Sequence, residues 1–270
     1  MNKKAIGFMD SGVGGLTIAK VAMQKLPKEN IIYFGDEARL PYGEKTPEQI
    51  KSYALQISKF LISKEIKMLV IACNTATALA LPFLKEQLSI PVIGVINPGS
   101  LAAVKATNNN HVGVIATNGT VKSGKYENEI KSVDANIDVV SLGCPSFVTM
   151  VESQGYKESS NQSNVDEVLE KIKSDNIDTL VMGCTHFPIM RSMIQQSMGD
   201  NVQLIDPGVE TIKQVESILK ENDIYNDCED KPQYDFYTTG DVNQFKSIAK
   251  EWLNQDINVK HIDVKELEDY

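Results

Sequence analysis

The chain is written twice. Short apolar runs close on glycine or polar residues, and the same succession then returns further along. In the first half, Ala5–Met9 leads to Asp10-Ser11, Ile31–Phe34 to Gly35-Asp36, Met68–Ala72 to Cys73-Asn74-Thr75, and Pro91–Ile96 to Asn97-Pro98. In the second, Val112–Ile115 leads to Ala116-Thr117-Asn118-Gly119-Thr120, Val139–Leu142 to Gly143-Cys144, Leu180–Gly183 to Cys184-Thr185-His186, and Val202–Ile205 to Asp206-Pro207. The interval from Gly7 to Cys73 nearly equals that from Gly113 to Cys184, and Ile66–Cys73 aligns with Ile177–Cys184. Helical patterns such as Pro47–Lys64 and Ala76–Leu88 fill the gaps. Continuous apolar strands alternating with helices imply parallel sheets covered on both faces. A long internal repeat implies two units of one topology. The expected fold is therefore α/β, with two similar parallel-sheet domains and an active site between them.

The first domain is expected to take residues 1–97 with 208–270, and the second 98–207. The segment after Pro207 falls outside the repeat. It reads as a helix near Val209–Glu221, an acidic loop Glu221–Lys231, a strand near Phe236–Thr239, a helix near Val242–Leu253 and a strand near Val259–Val264. It is expected to pack back on the first half. The net charge of −9 argues against nucleic acid as a partner, because phosphate binding needs a basic surface. No run reaches the ~20 apolar residues of a membrane span, and Ala5–Met9 is too short for a signal peptide. A cytoplasmic protein with reduced cysteines is the expectation. Cys73, Cys144, Cys184 and Cys228 form no CxxC pair, so neither a metal site nor a redox pair is expected.

Cys73 and Cys184 occupy the same beat of the two halves, where a buried strand should end and a helix begin. Ligands of open α/β sheets bind at such strand ends. A helix N-terminus there favours thiolate and bound carboxylate, and predicts thiol pKa values below the ordinary ~8.5. A lone cysteine at a strand end is more often a core residue. Two at matched positions of facing domains can approach one small molecule from opposite sides. One thiolate can then remove a proton from a stereocentre while the other thiol delivers a proton to the opposite face. Asp10, Ser11, Asn74, Thr75, Thr117, Thr120, Thr185 and His186 surround these positions in sequence with groups suited to carboxylates and an ammonium. Asp10 and His186 are candidates to relay protons to the thiols. Cys144 reads as structural, Cys228 as exposed, Arg39 as surface or loop support, and Lys246–Lys250 as a solvated face.

Asp10-Ser11-Gly12-Val13-Gly14-Gly15-Leu16-Thr17, Pro41-Tyr42-Gly43, Cys73-Asn74-Thr75-Ala76 and Gly183-Cys184-Thr185-His186-Phe187-Pro188 together resemble the bacterial glutamate racemases. These belong to the cofactor-independent aspartate/glutamate racemases. The resemblance runs from Ile6 to about Val215, and is loose from Lys220 onward. It implies that Cys73 and Cys184 are the two catalytic bases, Cys73 paired with Asp10 for the D face and Cys184 with His186 for the L face. It implies substrate contacts at Asp10, Ser11, Tyr42, Gly43, Asn74, Thr75, Thr185 and His186, and Pro41, Thr117 and Thr120 are expected to bind the substrate beside them. It further implies no cofactor, a homodimer, and a role in supplying D-glutamate for peptidoglycan and hence cell shape. Some members carry an N-terminal extension linked to activation by a cell-wall precursor. So few residues precede the first strand here that such activation is not expected.

Other functions compete. Gly12-Val13-Gly14-Gly15-Leu16-Thr17 after a strand, with Asp36 ending the next, partly matches a dinucleotide fingerprint. Thr17 stands where Gly or Ala is needed, and that reading leaves the paired cysteines unexplained. A two-lobed binding protein for small acids is a further alternative, as is an aspartate or hydantoin-type racemase.

Overall fold

The computed structural model describes residues 2–270. Its strands are β1 (Ala5–Asp10), β2 (Ile31–Gly35), β3 (Ile66–Ile71), β4 (Val92–Gly94), β5 (His111–Ala116), β6 (Asp138–Gly143), β7 (Thr179–Gly183), β8 (Gln203–Ile205), β9 (Tyr234–Thr238) and β10 (Val259–His261). They form a sheet in the order β10-β9-β2-β1-β3-β4 and a second in the order β6-β5-β7-β8. Every pairing is parallel. The orders β2-β1-β3-β4 and β6-β5-β7-β8 are the same path traced twice, as the repeated pattern predicts. β1, β2, β3 and β7 are buried along their whole length, which is why their sequences run apolar without alternation. β6 departs from that expectation. It is a partly exposed edge strand, and Asp138 and Ser141 face solvent where no neighbouring strand covers them.

One apolar core runs between the sheets and joins Ile6, Phe8 and Tyr33 of the first to Leu180 and Met182 of the second, with Phe147 and Phe187 between. Separate clusters back the outer face of each sheet. The tail adds β9 and β10 to the free edge of β2, so it does pack on the first half. The last strand ends at His261 rather than Val264. Asp263 accepts a hydrogen bond from the Lys265 N–H at 2.8 Å and starts a short helix, Val264–Glu268. Cys228 is buried, not exposed. The loop carrying it is drawn in by the buried Lys67–Glu29 ion pair at 2.6 Å, to which Ile224 lends its carbonyl and Asn226 its N–H. Among the described residues no helix is long and apolar enough to cross a membrane.

Candidate active site

The C-terminal ends of β1, β2 and β3 face those of β5, β6 and β7 across a cavity of about 270 Å³. That is just below the ~300–1,000 Å³ of pockets for drug-sized ligands, and suits a small metabolite. Cys73 and Cys184 both line it, one from each sheet. Of the residues singled out from the sequence, Ser11, Pro41, Tyr42, Gly43, Asn74, Thr75, Thr117, Thr185 and His186 line it as well. Asp10 and Thr120 lie behind this lining and hold it. Asp10 is fully buried, accepts from the N–H groups of Gly12 (3.3 Å) and Gly15 (2.9 Å), and faces the Thr185 hydroxyl at 3.5 Å. Thr120 closes a triangle of hydroxyls with Thr75 (3.2 Å) and Thr117 (3.1 Å), whose third side, Thr75–Thr117, is 3.0 Å.

The glycine-rich turn after β1 serves close packing. A Cβ on Gly14 would stand 2.3 Å from Thr185 Oγ1 and 2.7 Å from the His186 ring. Thr17, the residue that breaks the dinucleotide pattern, donates its hydroxyl to the Thr185 carbonyl at 3.2 Å. Gly14 and Thr17 thus bring the first half against the Cys184 turn. Asp36 likewise holds the protein itself and not a ribose. Its buried carboxylate accepts from Arg39 Nε at 2.7 Å, from the Tyr42 hydroxyl and from Thr239 at 3.0 Å. Arg39 is buried and lies over the Tyr53 ring at 4.1 Å, so it supports the loop and is not a surface residue. The Tyr42 hydroxyl bond to Asp36 thus ties the Pro41-Tyr42-Gly43 part of the cavity lining to a buried carboxylate.

The two cysteines stand in different local structures. Cys73 caps the helix Asn74–Gln87, its Sγ accepting from the Ala76 N–H at 3.4 Å and donating toward the Ser11 hydroxyl at 3.8 Å. Cys184 does not open an α-helix. Thr185 and His186 form a turn, a 3-10 segment follows at Phe187–Met190, and the α-helix starts only at Arg191. The expected low thiol pKa is also overturned at Cys73. Burial, with the neighbouring Asp10 charge, pushes it up to about 12 and outweighs the helix N–H. Burial also raises the Asp10 carboxyl, against the opposing pull of His186.

His186 Nδ1 lies 3.7 Å from Cys184 Sγ, and Nε2 lies 3.3 Å from Glu152 Oε1. The second contact is an ion pair without hydrogen-bond alignment. Burial alone would lower the imidazole pKa, but Cys184, Glu152 and Asp10 together bring it up to about 10. An imidazolium donates through both nitrogens, so a proton sits beside the Cys184 sulfur near neutral pH. The ordinary imidazole value is ~6.5. The stabilisation His186 gives the fold is therefore complete below about pH 6.5 and is lost as pH rises through 10. Cys73 acts in the same direction, since an unfolded chain gives up that thiol proton above about pH 9 and the folded one keeps it. The melting temperature is expected to fall between pH 7 and 10.5 and to fall less in His186→Gln. Equal slopes in calorimetry would contradict this assignment.

Several lining residues escape the sequence reading. Pro145, Val148, Thr149 and Glu152, on the helix Pro145–Glu152, form one wall. Leu40, Glu44 and Asn118 also line the cavity, and Tyr126 reaches Asn74 from behind. The repeat itself carries the missing signal. The segment after β6 is the counterpart of the Leu40–Glu44 loop after β2. Cys144, at the start of that helix, is buried, does not line the cavity, and has its thiol pushed up to about 12 by burial.

Residues 17–215 match the Asp/Glu/Hydantoin racemase family. A glutamate racemase of Lactiplantibacillus plantarum is 52% identical over 97% of both chains. One of Bacillus cereus is 50% identical over 96% of this chain and 97% of its own. The crystal structure of a Bacillus anthracis glutamate racemase isoform superposes with a TM-score of 0.95 at 40% identity, over 98% of this chain and 99% of the other. Glutamate racemase of Francisella tularensis, solved in complex with D-glutamate, gives 0.91 at 39% identity over 100% of each chain. Sequence, topology and the paired cysteines agree: the chain belongs to the Asp/Glu/Hydantoin racemase family.

Proposed function

We propose that the protein is an isomerase that interconverts L-glutamate and D-glutamate by proton transfer at Cα, without a cofactor, and supplies D-glutamate for the bacterial cell wall. The observation that carries this reading is the approach of Cys73 and Cys184 to one cavity from the matched strand ends of two sheets. In the proposed step one thiolate takes the Cα proton and the electron pair stays on the substrate carbon. The opposite thiol then gives its proton to the other face and becomes the thiolate, so no net oxidation occurs. Cys73 with Asp10 serves the D enantiomer, and Cys184 with His186 the L enantiomer. Cys73 is held protonated by burial and by Asp10. A substrate ammonium brings positive charge beside both, which favours the thiolate when the pocket is filled. Ser11, Asn74, Thr75, Thr117 and Thr185, with Pro41-Tyr42-Gly43, hold the carboxylates, and Thr120 holds Thr75 and Thr117 in place from behind.

The working unit is two lobes, 1–97 with 208–270 and 98–207, in a cytoplasmic homodimer that engages neither nucleic acid nor membrane. The test is incubation with L-glutamate in heavy water with no cofactor added, following the α-proton by NMR and the optical rotation together. The α-proton signal and the rotation are expected to decay with L-glutamate and to persist with L-aspartate. Persistence with both acids would sink the proposal. In the same assay Gly14→Ala is expected to lose about a hundredfold in kcat/KM, because its Cβ displaces Thr185 and His186 by the order of 1 Å. An unimpaired variant would show that this close approach is dispensable.

A further inference from the structure

The two residues after Cys73 are both gripped by side chains of the second half. Thr75 is held by Thr117 and Thr120, which lie at the start of the helix Asn118–Lys122. Asn74 is held by Tyr126, whose hydroxyl donates to Asn74 Oδ1 at 2.7 Å. Gly124, at φ 64°, separates the two gripping helices and sets Tyr126 on the first turn of the second, Lys125–Val133. The ring of Tyr126 is 3% exposed and packs with Val114, Ile130 and Val181. It also presses on the far cysteine strand, since a Cβ on Gly183, the residue before Cys184, would stand 3.0 Å from Tyr126 Cε2. One side chain therefore touches the neighbour of each cysteine.

The direction of the hydrogen bond matters. Burial, together with Cys184 and Asp206, keeps the phenol protonated, and its hydroxyl donates to the Asn74 oxygen. Asn74 is buried and lines the cavity, and its carbonyl end is committed to Tyr126. The amide NH2 is the end left for a ligand, and it can only donate. We propose that Tyr126 is a positioning residue acting through Asn74: it fixes the amide with NH2 toward the substrate and so sets a preference for a free carboxylate over a carboxamide at that place. A carboxylate accepts such a bond with either oxygen. A carboxamide can turn its own NH2 toward the Asn74 donor and leave a buried polar group unpaired. The inference rests on the glutamate reading above.

The test compares the unaltered protein with Tyr126→Phe, Asn74→Ala, the double variant and Asn74→Asp. Glutamate is the substrate, and glutamine and isoglutamine are the two mono-amides. Melting temperatures verify folding. Tyr126→Phe is expected to raise KM for glutamate about tenfold with kcat nearly unchanged. It is also expected to narrow the discrimination against one of the two amides, which identifies the carboxylate that Asn74 meets. In the Asn74→Ala background the phenylalanine is expected to add nothing, because its effect runs through the missing amide. Asn74→Asp keeps the bond to Tyr126 but loses the donor, and is expected to bind glutamate no better than Asn74→Ala. An unmoved KM in Tyr126→Phe, an equal effect in the Asn74→Ala background, or unimpaired binding by Asn74→Asp would each overturn the inference. If the unaltered protein does not turn over glutamate, the functional reading falls and takes this inference with it. Turnover with an unmoved KM defeats the inference alone.

Discussion

Cys73→Ala and Cys184→Ala are each expected to lose racemisation by about a thousandfold or more in both directions, within the range ascribed to a positioned acid or base. Both directions fail together because every turnover uses both thiols, one as base and one as acid. The two variants should nevertheless differ. With Cys73 removed, Cys184 can still take the α-proton of L-glutamate and return deuterium from solvent to the same face. With Cys184 removed, only D-glutamate should exchange. The expected result in heavy water is exchange without inversion, confined to one enantiomer in each variant. Reversed selectivity would swap the face assignments. Near-normal racemisation by either variant would show that one thiol suffices and that the two-base reading is wrong. The differing surroundings add a second expectation. Cys73, pushed up to about 12, should react slowly with iodoacetamide at pH 7 in the ligand-free protein and faster as pH rises.

Asp36→Ala is expected to lower the unfolding free energy by about 3–5 kcal/mol, the cost of breaking a buried ion pair by removing one partner. The carboxylate is fully buried and accepts from Arg39, Tyr42 and Thr239 at once. Its loss leaves the Arg39 charge buried against Tyr53 with Gln56 as its remaining side-chain acceptor, at 2.6 Å, and leaves the Tyr42 hydroxyl without its acceptor. The same three contacts fix the Leu40–Glu44 loop, which lines the cavity, so KM for glutamate should rise as well. Urea denaturation measures the first effect and steady-state kinetics the second. A loss below about 1 kcal/mol would mean that the pair is exposed or replaceable.

Much of the architecture was legible in the order of residues. Most of the eight repeated strands are apolar runs buried on both faces, the edge strand β6 being the exception, and the repeated pattern matches the same strand order in both sheets. The cysteines, Asn74-Thr75 and Thr185-His186 follow directly on the strands β3 and β7, so reading the strand ends was enough to place them around one cavity. Legibility failed where burial overrides a local rule. A helix N-terminus predicts a low thiol pKa at Cys73, but solvent exclusion and Asp10, distant in sequence, drive it upward. Cys228 lies among acidic residues and reads as exposed, yet the Lys67–Glu29 pair pulls its loop inward.

The sequence by itself determined the periodic features: strand positions, the doubled topology, and the two cysteines at equivalent strand ends. Each depends on neighbours within a few residues, or on a pattern compared with its own copy. Only the tertiary structure decided the pairings that make the pocket specific. These are Asp10 with Thr185, Tyr126 with Asn74, Glu152 with His186, and Asp36 with Arg39, Tyr42 and Thr239. Asp10–Thr185 and Tyr126–Asn74 form only when the two sheets close on each other, whereas Glu152–His186 and Asp36–Thr239 form as segments distant along the chain pack within one half. The strength of each contact depends on the exclusion of water, a property of the packed assembly that no local stretch of sequence encodes.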